Sequence, residues 1–125
     1  MLRDKTSSAI VAVSDADRAR RFYTDTLGLE LGQAYDKDGV MVFRTGDTEL
    51  TVYVSKFAGT NRANAVTWDV GEDIDAIVEG LRAKGVTFEH YDMDGVTPGD
   101  IHEAGDMRLT WFKDPDGNIL HLIGR

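Results

Sequence analysis

Cysteine and long apolar segments are both missing from this sequence. The absence of cysteine excludes disulfide bonds, thiolate nucleophiles and cysteine-ligated metal sites, and it makes a cytoplasmic location our expectation. Near the N-terminus the apolar run 10–13 is far too short for a signal-peptide core or a membrane span. We therefore expect a soluble protein that has no membrane as a partner.

Basic residues are also in short supply. The chain has 14 lysines and arginines against 22 aspartates and glutamates, for a formal net charge of -8. This charge repels phosphate backbones and anionic lipids, and no basic patch with interleaved aromatic residues offsets it. Nucleic acid is therefore not an expected partner. A chain of 125 residues is long enough for one domain that folds without metal or disulfide.

What the sequence does contain is an approximate internal repeat. The same number of residues separates Val13 from Val70, Ala19 from Ala76 and Gly28 from Gly85. Each half has the pattern of a strand, a helix ended by glycine, and further strands. Two copies of a unit that cannot bury its apolar face alone imply a fold made by pairing them.

The first half predicts a βαβββ order. Weak alternation with valine and isoleucine predicts a strand over residues 8–13. Ser14, three residues before Asp17, has the spacing of a helix cap, and apolar residues at helical spacing continue to Leu27. Gly28 is predicted to end this helix in the left-handed conformation. Three more strands are predicted over residues 31–35, 40–44 and 49–55.

The second half is predicted to follow the same order after a linker. Residues 57–64 are rich in glycine, threonine and asparagine, so they separate a first module of about 6–56 from a second of about 65–125 within a single domain, 1–125. A helix should run from near Asp73 to Gly85. The predicted strands of this half are 65–70, 86–91, 107–112 and 119–123.

Two irregular segments of the second half invite a functional interpretation. Residues 92–106 have no convincing period, and so long a loop in a compact domain is often a functional lid. Asp114-Pro115-Asp116-Gly117-Asn118 carries two carboxylates, but these residue types are typical of a tight turn. We interpret that turn as structural.

Two motifs in this order resemble a known superfamily. Val13-Ser14-Asp15 with Phe22-Tyr23 and Leu27-Gly28-Leu29, followed by Phe112-Lys113-Asp114-Pro115-Asp116-Gly117-Asn118, is similar to the vicinal oxygen chelate proteins: the glyoxalase, bleomycin-resistance and extradiol dioxygenase group. The resemblance covers essentially the whole chain. It implies an α+β fold in which two βαβββ modules pair into a cup-shaped, partly open mixed barrel around a ligand site, and it implies a two-fold homodimer.

The superfamily places metal ligands at four positions, and the resemblance carries these to Ser8, Thr51, Ala65 and His121. Ala65 has no donor atom, and neutral hydroxyls bind first-row divalent metals poorly. One imidazole is fewer than the roughly three protein ligands of a catalytic site. We therefore expect no metal and no other cofactor. The alternative is a metal held through His102 and Glu103 in the long loop.

Strand alternation predicts which side chains face the ligand. His121 lies between Leu120 and Leu122, so it should point to the opposite face, which we interpret as the cup side. It either lines the cavity as a hydrogen-bonded histidine or acts as polar anchor or general base. The other predicted lining residues are Ser8, Ile10, Thr51, Tyr53, Ala65, Thr67, Trp111 and Ile119, and His102 is a predicted ligand contact from the loop.

Two function classes remain open at this point. A mostly apolar and aromatic wall with a few hydroxyls suits a small organic ligand, which predicts a metal-independent binding protein of the bleomycin-resistance kind. The alternative is an enzyme: a metal-free isomerase or lyase with His121 as base, or a glyoxalase- or dioxygenase-like metal enzyme with non-standard ligands. No nucleotide fingerprint or Ser-His-Asp arrangement is recognisable.

Overall fold

The computed structural model describes all residues, 1–125. The chain divides into two compact units, Met1–Thr60 and Asn61–Arg125. The division falls inside the segment 57–64 that separates the two halves of the sequence repeat. None of the helices is sufficiently long and apolar to span a membrane.

The first unit is a four-stranded mixed sheet covered by a helix. Its strand order is β1-β4-β3-β2, with β1 parallel to β4 and the other neighbours antiparallel. Val11, Leu50 and Phe43 are buried on one face of the sheet together with Ala19 and Tyr23 of the helical segment. The elements are β1 (Ala9–Val13), α1 (Ala16–Arg21), a π-helical segment (Phe22–Thr26), β2 (Glu30–Tyr35), β3 (Val40–Thr45) and β4 (Thr48–Val54).

The second unit repeats this topology. Its strand order, β5-β8-β7-β6, places a parallel β5–β8 pair where the first sheet has β1–β4. The helix buries Ile74, Val78 and Leu81 and packs against β8. Its elements are β5 (Asn64–Gly71), α2 (Ile74–Ala83), β6 (His102–Ala104), β7 (Met107–Lys113) and β8 (Ile119–Gly124). The predicted α+β fold of two βαβββ units is therefore confirmed.

The predicted start of the first helix is wrong by one residue. Asp15, and not Ser14, is the N-cap: its backbone is extended and its carboxylate accepts the Arg18 N–H at 3.0 Å. An aspartate in this position satisfies one of the free N–H groups of the first turn. The predicted helix end is confirmed, since Gly28 has φ +75°, but the last turn before it is π-helical.

Two predictions for the second half are wrong. Residues 86–91 form no strand, because only Phe88 makes an isolated bridge, to Phe112 of β7. The supposed irregular loop 92–106 contains β6, which pairs with β7 further along the same edge, His102 opposite Leu109. The same edge of β7 therefore pairs with two short segments, the one around Phe88 and β6. A strand of three residues is too short to show a period in the sequence.

The acidic turn between β7 and β8 is structural, as predicted. One carboxylate oxygen of Asp114 accepts the backbone N–H groups of Asp116 at 3.0 Å and of Asn118 at 2.9 Å. The other accepts the Asn118 side-chain amide at 2.8 Å, and Gly117 has φ +87°. The Asp114 carboxylate is therefore used inside the turn, and it positions β8 beside β7.

Candidate functional site

The candidate site is on β8, at His121. Leu120 and Leu122 are buried on the side of β8 that faces the helix, and alternation turns His121 to the opposite side. In the sheet His121 stands between Thr67 of β5 and Trp111 of β7. Its ring stacks on the indole of Trp111, with centroids 4.5 Å apart and planes 12° from parallel. The packing leaves His121 only 7% exposed.

The two ring nitrogens of His121 have different roles. Nδ1 lies 2.9 Å from the backbone carbonyl oxygen of Thr110. Because a carbonyl only accepts hydrogen bonds, Nδ1 carries the proton and Nε2 keeps a free lone pair. Burial lowers the pKa of His121 below the ordinary 6.5, against a smaller opposing effect of the Thr110 hydrogen bond. Near neutral pH, Nε2 can therefore accept a hydrogen bond or a proton.

Three rings contact Trp111, those of His121, His102 and Tyr91. We call these four residues the ring cluster: Tyr91, His102, Trp111 and His121. The His102 ring meets Trp111 edge-on, with centroids 4.9 Å apart and planes at 89°. Tyr91 approaches the same indole edge-on at 5.3 Å. Aromatic surface with a few placed nitrogen atoms suits a planar organic molecule.

A polar network lies next to the ring cluster, at the end of the segment 92–101. The Asp100 carboxylate accepts hydrogen bonds from His90 Nε2 and from Arg82 Nη2, both at 2.7 Å. These two hydrogen bonds lower the pKa of Asp100. The His90 and His102 rings are 6.1 Å apart, so the network borders the cluster.

Sequence reasoning assigned no role to His90, Tyr91 or Asp100. His90 and Tyr91 were assigned to a strand that does not form, and Asp100 was one acidic residue among several in the supposed loop. Their contacts depend on β6, which returns the chain to the edge of β7. No local pattern in the sequence could have identified them.

The predicted lining residues of the first half lie in the first unit. Ile10 pairs with Thr51, and Tyr53 lies on the same face two residues along β4. This face is opposite the buried one, and Ile10 is 61% exposed. Ser8 precedes β1, and its hydroxyl lies 3.2 Å from that of Thr48. Ser8 also borders a groove of about 490 Å³ with Thr6, Arg44, Gly46, Asp47, Thr48 and Glu49.

In the second unit, Thr67, Trp111 and His121 are adjacent on one face, and His102 joins them from β6. That the predicted lining residues of either unit contact a ligand stays a prediction. The Trp111 ring also contacts the rings of both His121 and His102.

The family model that matches this sequence is that of the Glyoxalase/Bleomycin resistance protein/Dioxygenase superfamily, and the match covers residues 5–122. The chain belongs to this superfamily. No curated protein matches the sequence.

Solved structures of superfamily members show the same fold. A Glyoxalase/bleomycin resistance protein/dioxygenase superfamily member from Sphaerobacter thermophilus is 25% identical, with a TM-score of 0.69 and complete coverage of both chains. A lactoylglutathione lyase from Agrobacterium tumefaciens is 14% identical, with a TM-score of 0.72 over 99% of this chain and 96% of that one. The fosfomycin resistance protein FosX from Mesorhizobium loti is 16% identical, with a TM-score of 0.70 over 100% and 94%.

The residues present do not fit the metal of the superfamily. No group of three or more histidine, cysteine, aspartate or glutamate side chains is arranged to hold a metal ion. His102 and Glu103, the alternative metal ligands, already have partners within the protein. His102 Nε2 accepts the Tyr91 N–H at 2.9 Å, and a Glu103 carboxylate oxygen lies 3.8 Å from Arg108 Nε.

We expect His121 to titrate below pH 6.5, its ordinary value. The unfolded chain then binds the His121 proton more tightly than the folded protein does, so the contribution of His121 to the free energy of unfolding should be fully present above about pH 6.5 and should fall as the pH decreases below it. The NMR signal of the His121 ring proton gives the pKa, and urea unfolding at several pH values gives the stability. His121→Asn should remove this pH-dependent part. A midpoint at or above 6.5 would contradict the prediction.

Proposed function

We propose that this superfamily member binds a small planar organic molecule against Trp111 and His121, without a metal held by the protein. One observation carries the proposal: the Thr110 carbonyl holds the Nδ1 proton of His121, so that Nε2 presents its lone pair beside the indole. An arrangement with a fixed tautomer and a stacked ring is pre-organised for recognition. The ligand should then carry an O–H or N–H group that donates to Nε2.

The surroundings support a planar aromatic ligand. Three of the four cluster rings contact Trp111, at centroid distances of 4.5 to 5.3 Å, and ring systems attract one another in stacked and edge-on geometries. The superfamily includes bleomycin-resistance proteins, and one of the similar structures is named a fosfomycin resistance protein. A role in capturing a small molecule is consistent with these relatives.

The test uses two probes of nearly the same shape, 4-ethylphenol and 4-ethylanisole, of which only the first can donate a hydrogen bond. Affinity is measured by titration of the Trp111 and His121 NMR signals. We expect 4-ethylphenol to bind about fivefold or more tightly, which corresponds to one hydrogen bond of about 1 kcal/mol.

Two variants provide the matched control. His121→Asn keeps a side-chain N–H for the Thr110 carbonyl but removes the acceptor at Nε2, and it should abolish the preference for 4-ethylphenol. His121→Gln restores an acceptor near the Nε2 position and should retain part of it. Equal binding of the two probes by the parent protein, or no saturable shift with either, would overturn the proposed function.

A second candidate function is supported by the lowered pKa of His121. A neutral imidazole with a free Nε2 can act as a general base, which would make the protein a metal-free isomerase or lyase. The same samples in D₂O distinguish the two functions. Exchange of carbon-bound protons next to the carbonyl of acetophenone, which has no hydroxyl group to occupy His121 Nε2, would favour the enzyme if it is lost in His121→Asn. No exchange above the solvent rate would favour binding alone.

A further inference from the structure

His102 has a buried polar atom that the fold does not use. The side chain is fully buried, and its Nε2 accepts the Tyr91 backbone N–H at 2.9 Å. The neutral ring therefore carries its proton on Nδ1. Nδ1 has no hydrogen-bond partner. A buried donor without an acceptor costs free energy, and such groups in native structures often mark a site for a ligand or a water molecule.

The position of His102 relates this donor to His121. In the sheet order β8-β7-β6, Trp111 on β7 stands between His121 on one neighbouring strand and His102 on the other. The indole is therefore flanked by an acceptor, His121 Nε2, and by a donor, His102 Nδ1–H. A ligand with a hydrogen-bond donor at one end and an acceptor at the other could bind to both groups.

The segment 92–101 closes beside His102 through a small number of hydrogen bonds. Thr97 and Glu103 exchange two backbone hydrogen bonds, of 2.9 and 3.0 Å, and the Thr110 hydroxyl donates to the Asp100 carbonyl. The Asp100 carboxylate adds the contacts to His90 and Arg82. Most residues of the segment are exposed, and a segment with few buried contacts opens at a low free-energy cost. Access of a ligand to the fully buried His102 would require this segment to open.

We propose that His102 Nδ1–H donates a hydrogen bond to a carbonyl oxygen of the ligand. The ligand class is then an aromatic carbonyl compound with its own hydroxyl group: the hydroxyl donates to His121 Nε2, the ring lies against Trp111, and the carbonyl accepts from His102. This inference rests on the proposed function and adds the acceptor end of the ligand to it.

The experiment compares 4-hydroxyacetophenone with 4-ethylphenol, which has a similar shape and the same hydroxyl but no carbonyl. In the parent protein the ketone should bind about fivefold or more tightly, as one additional net hydrogen bond predicts. His102→Gln places an amide oxygen near Nε2 for the Tyr91 N–H and removes the donor at Nδ1, so it should abolish the difference. His102→Asn places an amide N–H near Nδ1 and should keep part of it.

The parent protein supplies a measurement that does not depend on the folding of a variant. The His102 Nδ1–H proton signal should move downfield in the complex with 4-hydroxyacetophenone and not in the complex with 4-ethylphenol. Suppose that the binding of 4-ethylphenol depends on His121, but 4-hydroxyacetophenone binds no more tightly than 4-ethylphenol and does not shift the His102 Nδ1–H signal. The inference about His102 is then wrong, while the proposed function stands. If the binding of neither probe depends on His121, the proposed function itself is wrong.

Discussion

Leu120→Ala should lower the free energy of unfolding by about 2–5 kcal/mol, the range for a large aliphatic side chain truncated in a core. Leu120 is fully buried, and in the sheet it lies between Val66 and Phe112, which are also buried. The surrounding groups are held by three strands and α2, so they cannot collapse fully into the space left by the removed atoms.

The neighbouring residue provides the control for this substitution. His121→Asn keeps a donor for the Thr110 carbonyl and lies on the other face of β8, so its cost should be about 1 kcal/mol or less. Urea unfolding of both variants measures the difference. A silent Leu120→Ala together with an unfolded His121→Asn would mean that β8 is inverted, and the site proposed on its outer face would be lost with it.

Gly124→Ala should destabilise the protein by about 1–3 kcal/mol, although the added group is a single methyl. A Cβ at Gly124 would lie 2.7 Å from the Cβ of Ile74 and 2.8 Å from the backbone oxygen of Gly71. Neither atom can rotate away, because both are fixed by the backbone. The end of β8 and the start of α2 would have to separate, which would loosen the packing that holds β8 in place.

A second glycine separates this steric effect from a general effect of glycine replacement. Gly80 lies inside α2, and a Cβ there would meet nothing within 4 Å. Gly80→Ala should therefore stabilise the protein by roughly 0.5–1 kcal/mol, since alanine is the better helix former. Thermal unfolding of the two variants should shift in opposite directions. If Gly124→Ala is as stable as the parent, the close approach of β8 and α2 is not present in solution.

The general position of the candidate site was accessible from the sequence because it depends on short-range periodicity. Alternation of side chains along a strand requires only that the strand exist, and it placed His121 opposite Leu120 and Leu122. The register that sets Trp111 beside His121 follows from the tight turn that Asp114 organises, and the residues of this turn are recognisable in the sequence.

The part of the site beside β6 could not be predicted from local sequence patterns. His102 was predicted only as a contact from a loop, and Tyr91 and Asp100 had no predicted role. Their positions depend on β6, which has three residues and stays extended because the edge of β7 supplies hydrogen-bond partners. A segment whose structure is imposed by a neighbouring strand carries little pattern of its own.

The sequence by itself therefore determined the βαβββ order of the first half, the helix ends at Gly28 and Gly85, and the face of β8 that carries His121, whereas the strand that follows the second helix was predicted at the wrong place. These features follow from local physics: side-chain period, cap residues and turn residues act over a few positions of the chain. Only the tertiary structure decided which ring nitrogen of His102 and of His121 has no hydrogen-bond partner within the protein, because the Thr110 carbonyl and the Tyr91 N–H that select the tautomers come from other segments. Hydrogen bonds between residues distant in the chain are set by strand pairing, which no local pattern encodes.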